Sequence, residues 1–495
     1  MAGIDDIVAM LGRTPPRKAP EWGSGGVYGL RYYRGVLYYT LAFEAEAHFL
    51  RPGGERVYRF EQVGKAPVSG GDTYNAVDTV DDEIFFGGWV HAPARFGGRK
   101  GRGGYILFYD KYSHVHRYLI SEDRVDLLWK EGAGERDVWA GEVTELVYDP
   151  VNDRLLAARG DGHLRLGVYA VPRSGGKAEE LSGRRALKGA LHYDHACFDS
   201  MREWRYGVTE VQCLDLVENK WLRAPVDYRG HSVDGEPHSS TPLSGCAASA
   251  YGRYIHFVRG GFIAGNPVAE EPFWYYRLMD FGSSGYGPLR TNAVTLGGGV
   301  LVAYNSYSHG LLYPRNSDEE QLARERNTLV APTVLVYLAP PLARIVAVLG
   351  ARATSLEYAG GRLLVGTSTT ANYEAYDAAP VEAGWRDILV FDVGSMLMKP
   401  PPLYIRVPGW MVQGKAWGGI PLTGYRGARL VLRSKSGCRL RVISYDASLP
   451  PGGYEADTVT LERGRGVVNL GGYGPIVSFR VEEGCLSSAS IILEP

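Results

Sequence analysis

Glutamine is almost absent from this chain: Gln62, Gln212, Gln321 and Gln413 are the only four in 495 residues. Lysine is scarce as well, eleven against forty-three arginines. Few thermolabile amides point to a hot environment, and the arginine excess fits either that setting or a GC-rich genome. The five cysteines (Cys197, Cys213, Cys246, Cys438 and Cys485) contain no CxxC spacing. That excludes zinc ribbons and thioredoxin-type redox motifs. Cys438 and Cys485 both fall on expected strands near the C-terminus and could pair. A disulfide would not imply secretion, because intracellular proteins of hyperthermophiles also carry them.

Long apolar runs are missing too. The most apolar stretch, 329–343, is interrupted by Pro332, Pro340 and Pro341 and closed by Arg344. It reads as a hairpin rather than a membrane span. The N-terminus carries Asp5 and Asp6 where a signal peptide needs positive charge. The expectation is a soluble, cytoplasmic protein that uses no membrane and no DNA. Signatures of nucleotide and hydrolytic chemistry are absent. Lys65, Lys177 and Lys415 each follow Gly but precede Ala, so none completes a phosphate loop. There is no HExxH and no GxSxG. Asp280-Phe281-Gly282 has no accompanying catalytic loop and is coincidental. A net charge of −1 excludes a protein whose entire surface binds polyanions.

What the chain does have is glycine (65), tyrosine (33) and proline (28), the currency of turns and strands. Segments from Asn75, Glu145, Ala247, Ala293 and Ser355 share one pattern: alternation, a tight turn with Gly, Asp or Asn, then a stronger apolar strand. A first copy starts at Val27, and a weaker one lies between Leu191 and Val226. Four antiparallel strands recurring every ~40–70 residues predict a β-propeller of six or seven blades over 27–401. WD-type and Asp-box signatures are missing. After Met398-Lys-Pro-Pro-Pro402 the rhythm changes, and 402–495 is expected to be a β-sandwich of jelly-roll type. This segment carries eleven Lys/Arg against seven Asp/Glu, +4, which leaves −5 for the remainder. In 1–26, Ile4, Ile7, Val8 and Leu11 form one helical stripe, followed by a basic, Pro/Gly-rich tether. So short a helix needs a partner surface, either its own propeller or another molecule. The predicted fold class is therefore all-β, with this short helix added.

Two kinds of site stand out. The first is basic. Arg95, Arg99, Lys100 and Arg102 occupy a Gly-rich segment flanked by aromatics and free of acids, the composition of a single-strand nucleic-acid binder. Arg13, Arg17 and Lys18 give the tether the same sign. Arg429, Arg433, Lys435, Arg439 and Arg441 crowd one hairpin of the C-terminal domain, with Arg463 and Arg465 in a later turn. Strand parity places Arg429 with Arg433, and Arg439 with Arg441, on common faces. Three basic patches without intervening acids in a neutral chain point to contact with RNA or a ribonucleoprotein. The second site is His192, Asp194, His195 and Cys197, ending at Asp199. That density of imidazole, carboxylate and thiolate could hold a transition metal in a propeller channel. Read as one strand, alternation puts Asp194 on the face of His192 and His195, Cys197 and Asp199 on the other; the alternative is a blade strand whose polar residues line a wet channel, or a solvated loop. Trp410 and Trp417 offer a third reading, a sugar-stacking loop, against the alternative of plugging the contact between domains.

The blade pattern, the Arg/Gly/Tyr-rich style and the C-terminal sandwich together resemble an uncharacterised β-propeller family of hyperthermophilic archaea. The chain is also similar to a ribosome-silencing, hibernation-type factor of such organisms. The resemblance implies a non-catalytic protein without cofactor that docks on ribosomal subunits and inhibits translation. It assigns no role to any residue. The alternative expectation is a propeller enzyme or ligand binder with the metal site near His192–Asp199.

Overall fold

A computed structural model describes residues 3–12, 26–41, 44–70, 75–99, 102–108, 110–282, 286–289, 291–305, 333–368 and 387–495. The fold is all-β. Seven antiparallel sheets follow one another along the chain, over 27–59, 69–131, 145–182, 189–225, 244–277, 294–349 and 352–392. Five are simple four-stranded meanders, the second has an extra inner strand, and the seventh has three strands among the described residues. Each contributes residues of an inner strand to the lining of a common central cavity, so the ring is propeller-like.

Local turn chemistry accounts for the repeat. Arg34-Gly35, Tyr251-Gly252, Gly297-Gly298 and Gly360-Gly361 each join the first two strands of a blade with two consecutive positive φ angles. Two such residues make a turn whose twist matches that of the flanking strands. The second strands are buried along most of their length. Val36–Leu41 and Gly299–Tyr304 are buried at every position.

The ring closes between its seventh and first blades without exchanging a strand among the described residues. Leu30 N donates to Ser355 Oγ at 2.9 Å, and Thr354 Oγ1 donates to the Val27 carbonyl at 2.6 Å. Asn75, entering the second blade, accepts from Gly29 N and donates to the Thr354 carbonyl. The N-terminal helix (Ile4–Val8) covers this seam. Ile4 and Ile7 are buried with Val27, Leu30, Leu37, Ala359 and Leu364. Gly360 makes room for it, since a Cβ there would stand 2.7 Å from Ile4 Cγ2. The helix is five residues long, shorter than its apolar stripe, because the chain already turns at Ala9.

From Leu403 onward the strands form one further antiparallel sheet. Two strands of nineteen residues, Gly427–Tyr445 and Ile476–Glu494, pair along their whole length. Their register slips at 434–438, dividing the sheet into two four-stranded halves. In one half the long strands are flanked by Gly464–Asn469 and Leu403–Pro408, in the other by Tyr454–Leu461 and Ala416–Pro421.

This sheet shares a core with the fifth and sixth blades. Tyr276, Leu278, Phe281, Val302 and Val336 pack in the same cluster as Leu403, Trp417, Val442 and Phe479. Trp417 is fully buried between Phe281 and Phe479, with ring centroids at 6.4 and 4.8 Å. Of the two tryptophans considered for sugar stacking, it fills the contact between ring and sheet, and Trp410 is half-buried against the same core.

Candidate functional sites

The central cavity, about 560 Å³, is lined by the inner strands of all seven blades. Arg31, Asp78, Glu145 and Glu357 bring charge to it, among Ser249, Asn292, Thr295 and small apolar residues. Asp78 accepts from Tyr148 N at 2.7 Å and Thr79 N at 2.8 Å. Arg31 stands 4.0 Å from Glu357. Burial pushes Glu145 up to about 7, although Lys188, 3.3 Å away, opposes the shift. Burial likewise raises Glu357. Behind this wall Asp199, buried and raised to about 6, accepts from the backbone of Leu187 and Lys188. Its second oxygen lies 3.6 Å from His256, an imidazole that burial lowers to about 3. Ser244 and Tyr254 hold the two ring nitrogens of His256, each at 3.1 Å. These groups tie the fourth blade, through Lys188 and Asp199, to the inner strand of the third and the first two strands of the fifth.

The His192–Asp199 run is not one strand. Tyr193, with φ 56°, and Asp194 form the turn between Gly189–His192 and His195–Ser200. The four residues considered as metal ligands are engaged elsewhere. His192 shares hydrogen bonds with Ser249 at 3.0 Å and Asn266 at 3.3 Å. His195 contacts Asp194 at 2.7 Å and Asp215 at 3.8 Å. Cys197 is bonded to Cys213, its direct cross-strand neighbour. Among the described residues no group of three or more His, Cys, Asp or Glu side chains is placed to hold a metal ion. The Cys438–Cys485 pairing that the sequence left open is not formed. Cys438 and Cys485 are free thiols, because Cys438 lies opposite Gly484 rather than Cys485.

The basic residues sort by surroundings. Arg13, Arg17, Lys18 and Lys100 lie outside the described residues. Arg95, Arg99 and Arg102 belong to a two-stranded ribbon, Ala94–Arg99 with Arg102–Phe108, inserted in the second blade; an irregular register sets Arg99 opposite Arg102 and Gly103. In the C-terminal sheet, Arg429 pairs with Glu494 at 2.8 Å, and Arg439 with Glu482 and Glu483 at 2.9 Å each. Arg441 and Arg480 both reach Glu236, which projects from the loop preceding the fifth blade. Arg433 and Lys435 are exposed and have no ion pair among the described residues.

Arg433 belongs to the outward face of the half flanked by Gly464–Asn469 and Leu403–Pro408. Leu430 and Leu432 point to the core, so Arg429, Val431 and Arg433 point out. Cross-strand register sets Arg465, Val467 and Asn469 beside them, and Tyr404 and Arg406 on the far strand. Tyr404 is 57% exposed and Val467 52%. Among the described residues Glu494 is the one acid on this register, and it is held by Arg429. Sequence reasoning missed Tyr404 and Arg406. The alternation of Leu403-Tyr404-Ile405-Arg406-Val407 carries the signal that would have found them.

Residues 37–376 match the model of a family described as an uncharacterized protein conserved in archaea (DUF2139). The chain belongs to this family. The matched span covers most of the ring and stops short of the C-terminal sheet, so the family's defining part is the propeller-like body. No curated protein matches the sequence. Among solved structures, the chain is similar to YCF48 from Cyanidioschyzon merolae, with 9% identity and TM-score 0.40, over 76% of this chain and 98% of that one. It is also similar to a europium-containing methanol dehydrogenase, with 11% identity and TM-score 0.39, over 76% and 84%. These likenesses carry no argument about function. Among the described residues of this family member, no helix is long and apolar enough to cross a membrane.

Proposed function

We propose that the protein is a non-catalytic RNA-binding protein that docks on a large ribonucleoprotein through RNA phosphates and holds it inactive. Ribosomal subunits are the expected partner. One observation carries the reading: the outward face bearing Arg406, Arg433 and Arg465 beside exposed Tyr404 and Val467. Cations for the backbone next to an aromatic for a base are what single-stranded RNA needs. In this reading the C-terminal sheet, whose two halves share its two long strands, acts as a sandwich that presents this face. The ring positions it, and Arg13, Arg17, Lys18, Arg95, Arg99, Lys100 and Arg102 add phosphate contacts.

Co-sedimentation with purified archaeal ribosomal subunits tests the reading. A variant carrying Arg406→Glu, Arg433→Glu and Arg465→Glu should lose binding. Its residual affinity should depend less on salt, by roughly 0.7–0.9 in log–log slope per phosphate contact removed. Unchanged sedimentation would refute the reading. A second reading, a small-molecule binder, is favoured by the 560 Å³ cavity on which all seven blades converge.

A further inference from the structure

The C-terminal sheet holds two arginine pairs in the same cross-strand relation. Arg441 lies directly opposite Arg480 where the two long strands pair. Arg433 lies directly opposite Arg465 where the first long strand pairs with Gly464–Asn469. Directly opposite residues of an antiparallel pair project on the same side within a few ångströms, so two guanidinium groups there repel each other. An anion shared between them turns the repulsion into attraction.

The first pair contains such an anion. The Glu236 carboxylate, 3% exposed, accepts from Arg441 at 3.2 Å and from Arg480 at 2.5 Å. Gly235, with φ +69°, lets the loop approach Tyr454 closely enough to deliver it; a Cβ there would meet the Tyr454 hydroxyl at 2.6 Å. The second pair is likewise directly opposite, and no carboxylate among the described residues forms an ion pair with it. Arg433 and Arg465 are exposed, as are Lys435 and Arg463 beside them, and none of the four forms an ion pair among the described residues.

We propose that Arg433 and Arg465 form a phosphate clamp that holds one phosphate group between two guanidinium groups, as Arg441 and Arg480 hold Glu236. The clamp takes the tetrahedral oxyanion common to free phosphate and a phosphodiester backbone. Its assignment to RNA rests on the function proposed above, whereas the clamp itself rests on register and on the occupied pair beside it.

The test uses the full chain and two probes, inorganic phosphate by equilibrium dialysis and a fluorescent twelve-nucleotide uridine oligoribonucleotide by anisotropy. The wild-type protein should bind both. Arg465→Gln and Arg433→Gln should each weaken both interactions at least tenfold, whereas Arg439→Gln, whose arginine is held by Glu482 and Glu483, should change them less than twofold. Thermal unfolding supplies an independent readout. Phosphate should raise the midpoint of the wild type but not of Arg465→Gln, and without phosphate Arg465→Gln should be no less stable than the wild type. If phosphate binds at the clamp and the oligonucleotide does not, the clamp stands and the RNA reading falls. If the oligonucleotide binds equally to wild type and both glutamine variants, the clamp is refuted and the RNA reading survives. No phosphate binding and no rise in the wild-type midpoint would also refute the clamp.

Discussion

Lys188 meets Glu145 at 3.3 Å across the seam between the third and fourth blades, with its ammonium also donating to the Thr144 carbonyl at 3.0 Å. The pair is buried enough that Glu145 keeps its proton up to about pH 7, well above an ordinary glutamic acid. Asp199 is raised to about 6 for the same reason.

These shifts fix the sign of a pH dependence. A carboxyl whose folded-state pKa is raised binds more protons folded than unfolded between the two values, so stability falls as pH rises through that window. The Glu145 contribution to unfolding free energy should therefore decline between about pH 4 and 7, by on the order of 3 kcal/mol at most, while His114, His238 and His256, which burial lowers to about 3, 4 and 3, contribute in the opposite sense over much of that window. Denaturant titrations at pH 5 and 7.5 check this. The wild-type value minus that of Glu145→Gln isolates this contribution: the difference should fall from pH 5 to pH 7.5, and a difference that does not change with pH would overturn the assignment.

Arg277 should be among the most sensitive positions in the chain. Fully buried, it donates to Asp234 at 2.7 Å, to Asp280, and to the Pro237 carbonyl at 2.8 Å. Replacing it by Met leaves two buried carboxylates without their cation, a loss of about 3–5 kcal/mol. Calorimetry of Arg277→Met should show a lowered midpoint, and Asp234→Asn with Asp280→Asn in the same chain should restore part of it.

Thiol chemistry tests the cysteine assignments. Under native, non-reducing conditions one thiol, the exposed Cys485, should react with a thiol reagent, and denaturation without reductant should bring the count to three. Five reactive thiols in the denatured protein would overturn the Cys197–Cys213 bond. Replacing both of those cysteines by Ala should cost roughly 3 kcal/mol, as expected for a loop closed over 16 residues.

The N-terminal helix should detach when its buried contact is lost. Ile7 is fully buried in the seam between the seventh and first blades. Ile7→Ala should destabilise by about 2–5 kcal/mol or free the helix, whichever is smaller. Limited proteolysis read by mass spectrometry should then release the first residues while the ring stays intact. Unchanged protection would show that the helix is held by other contacts.

Much of the ring was legible because its signals are local. Alternation names the strands, and Gly in Arg34-Gly35 or Gly360-Gly361 names the turns through the positive φ it tolerates. The fourth blade was the weakest to read, since its inner turn uses Tyr193 in the left-handed region rather than glycine. That is also why His192 to Asp199 looked like a continuous strand rich in ligands. Arg439 and Arg441 could be placed on one face by parity, but parity does not reveal that acids from other segments already hold them.

By itself the sequence determined an all-β chain of repeated four-stranded units, a change of architecture near residue 402, and a short amphipathic helix at the start. Periodicity and turn chemistry act over a few residues, so no partner is needed to read them. Only the tertiary structure decided which cysteines pair, which histidines are engaged and which arginines remain open. Those outcomes depend on register between distant segments, as when Glu236 meets Arg441 and Arg480 more than two hundred residues further along the chain.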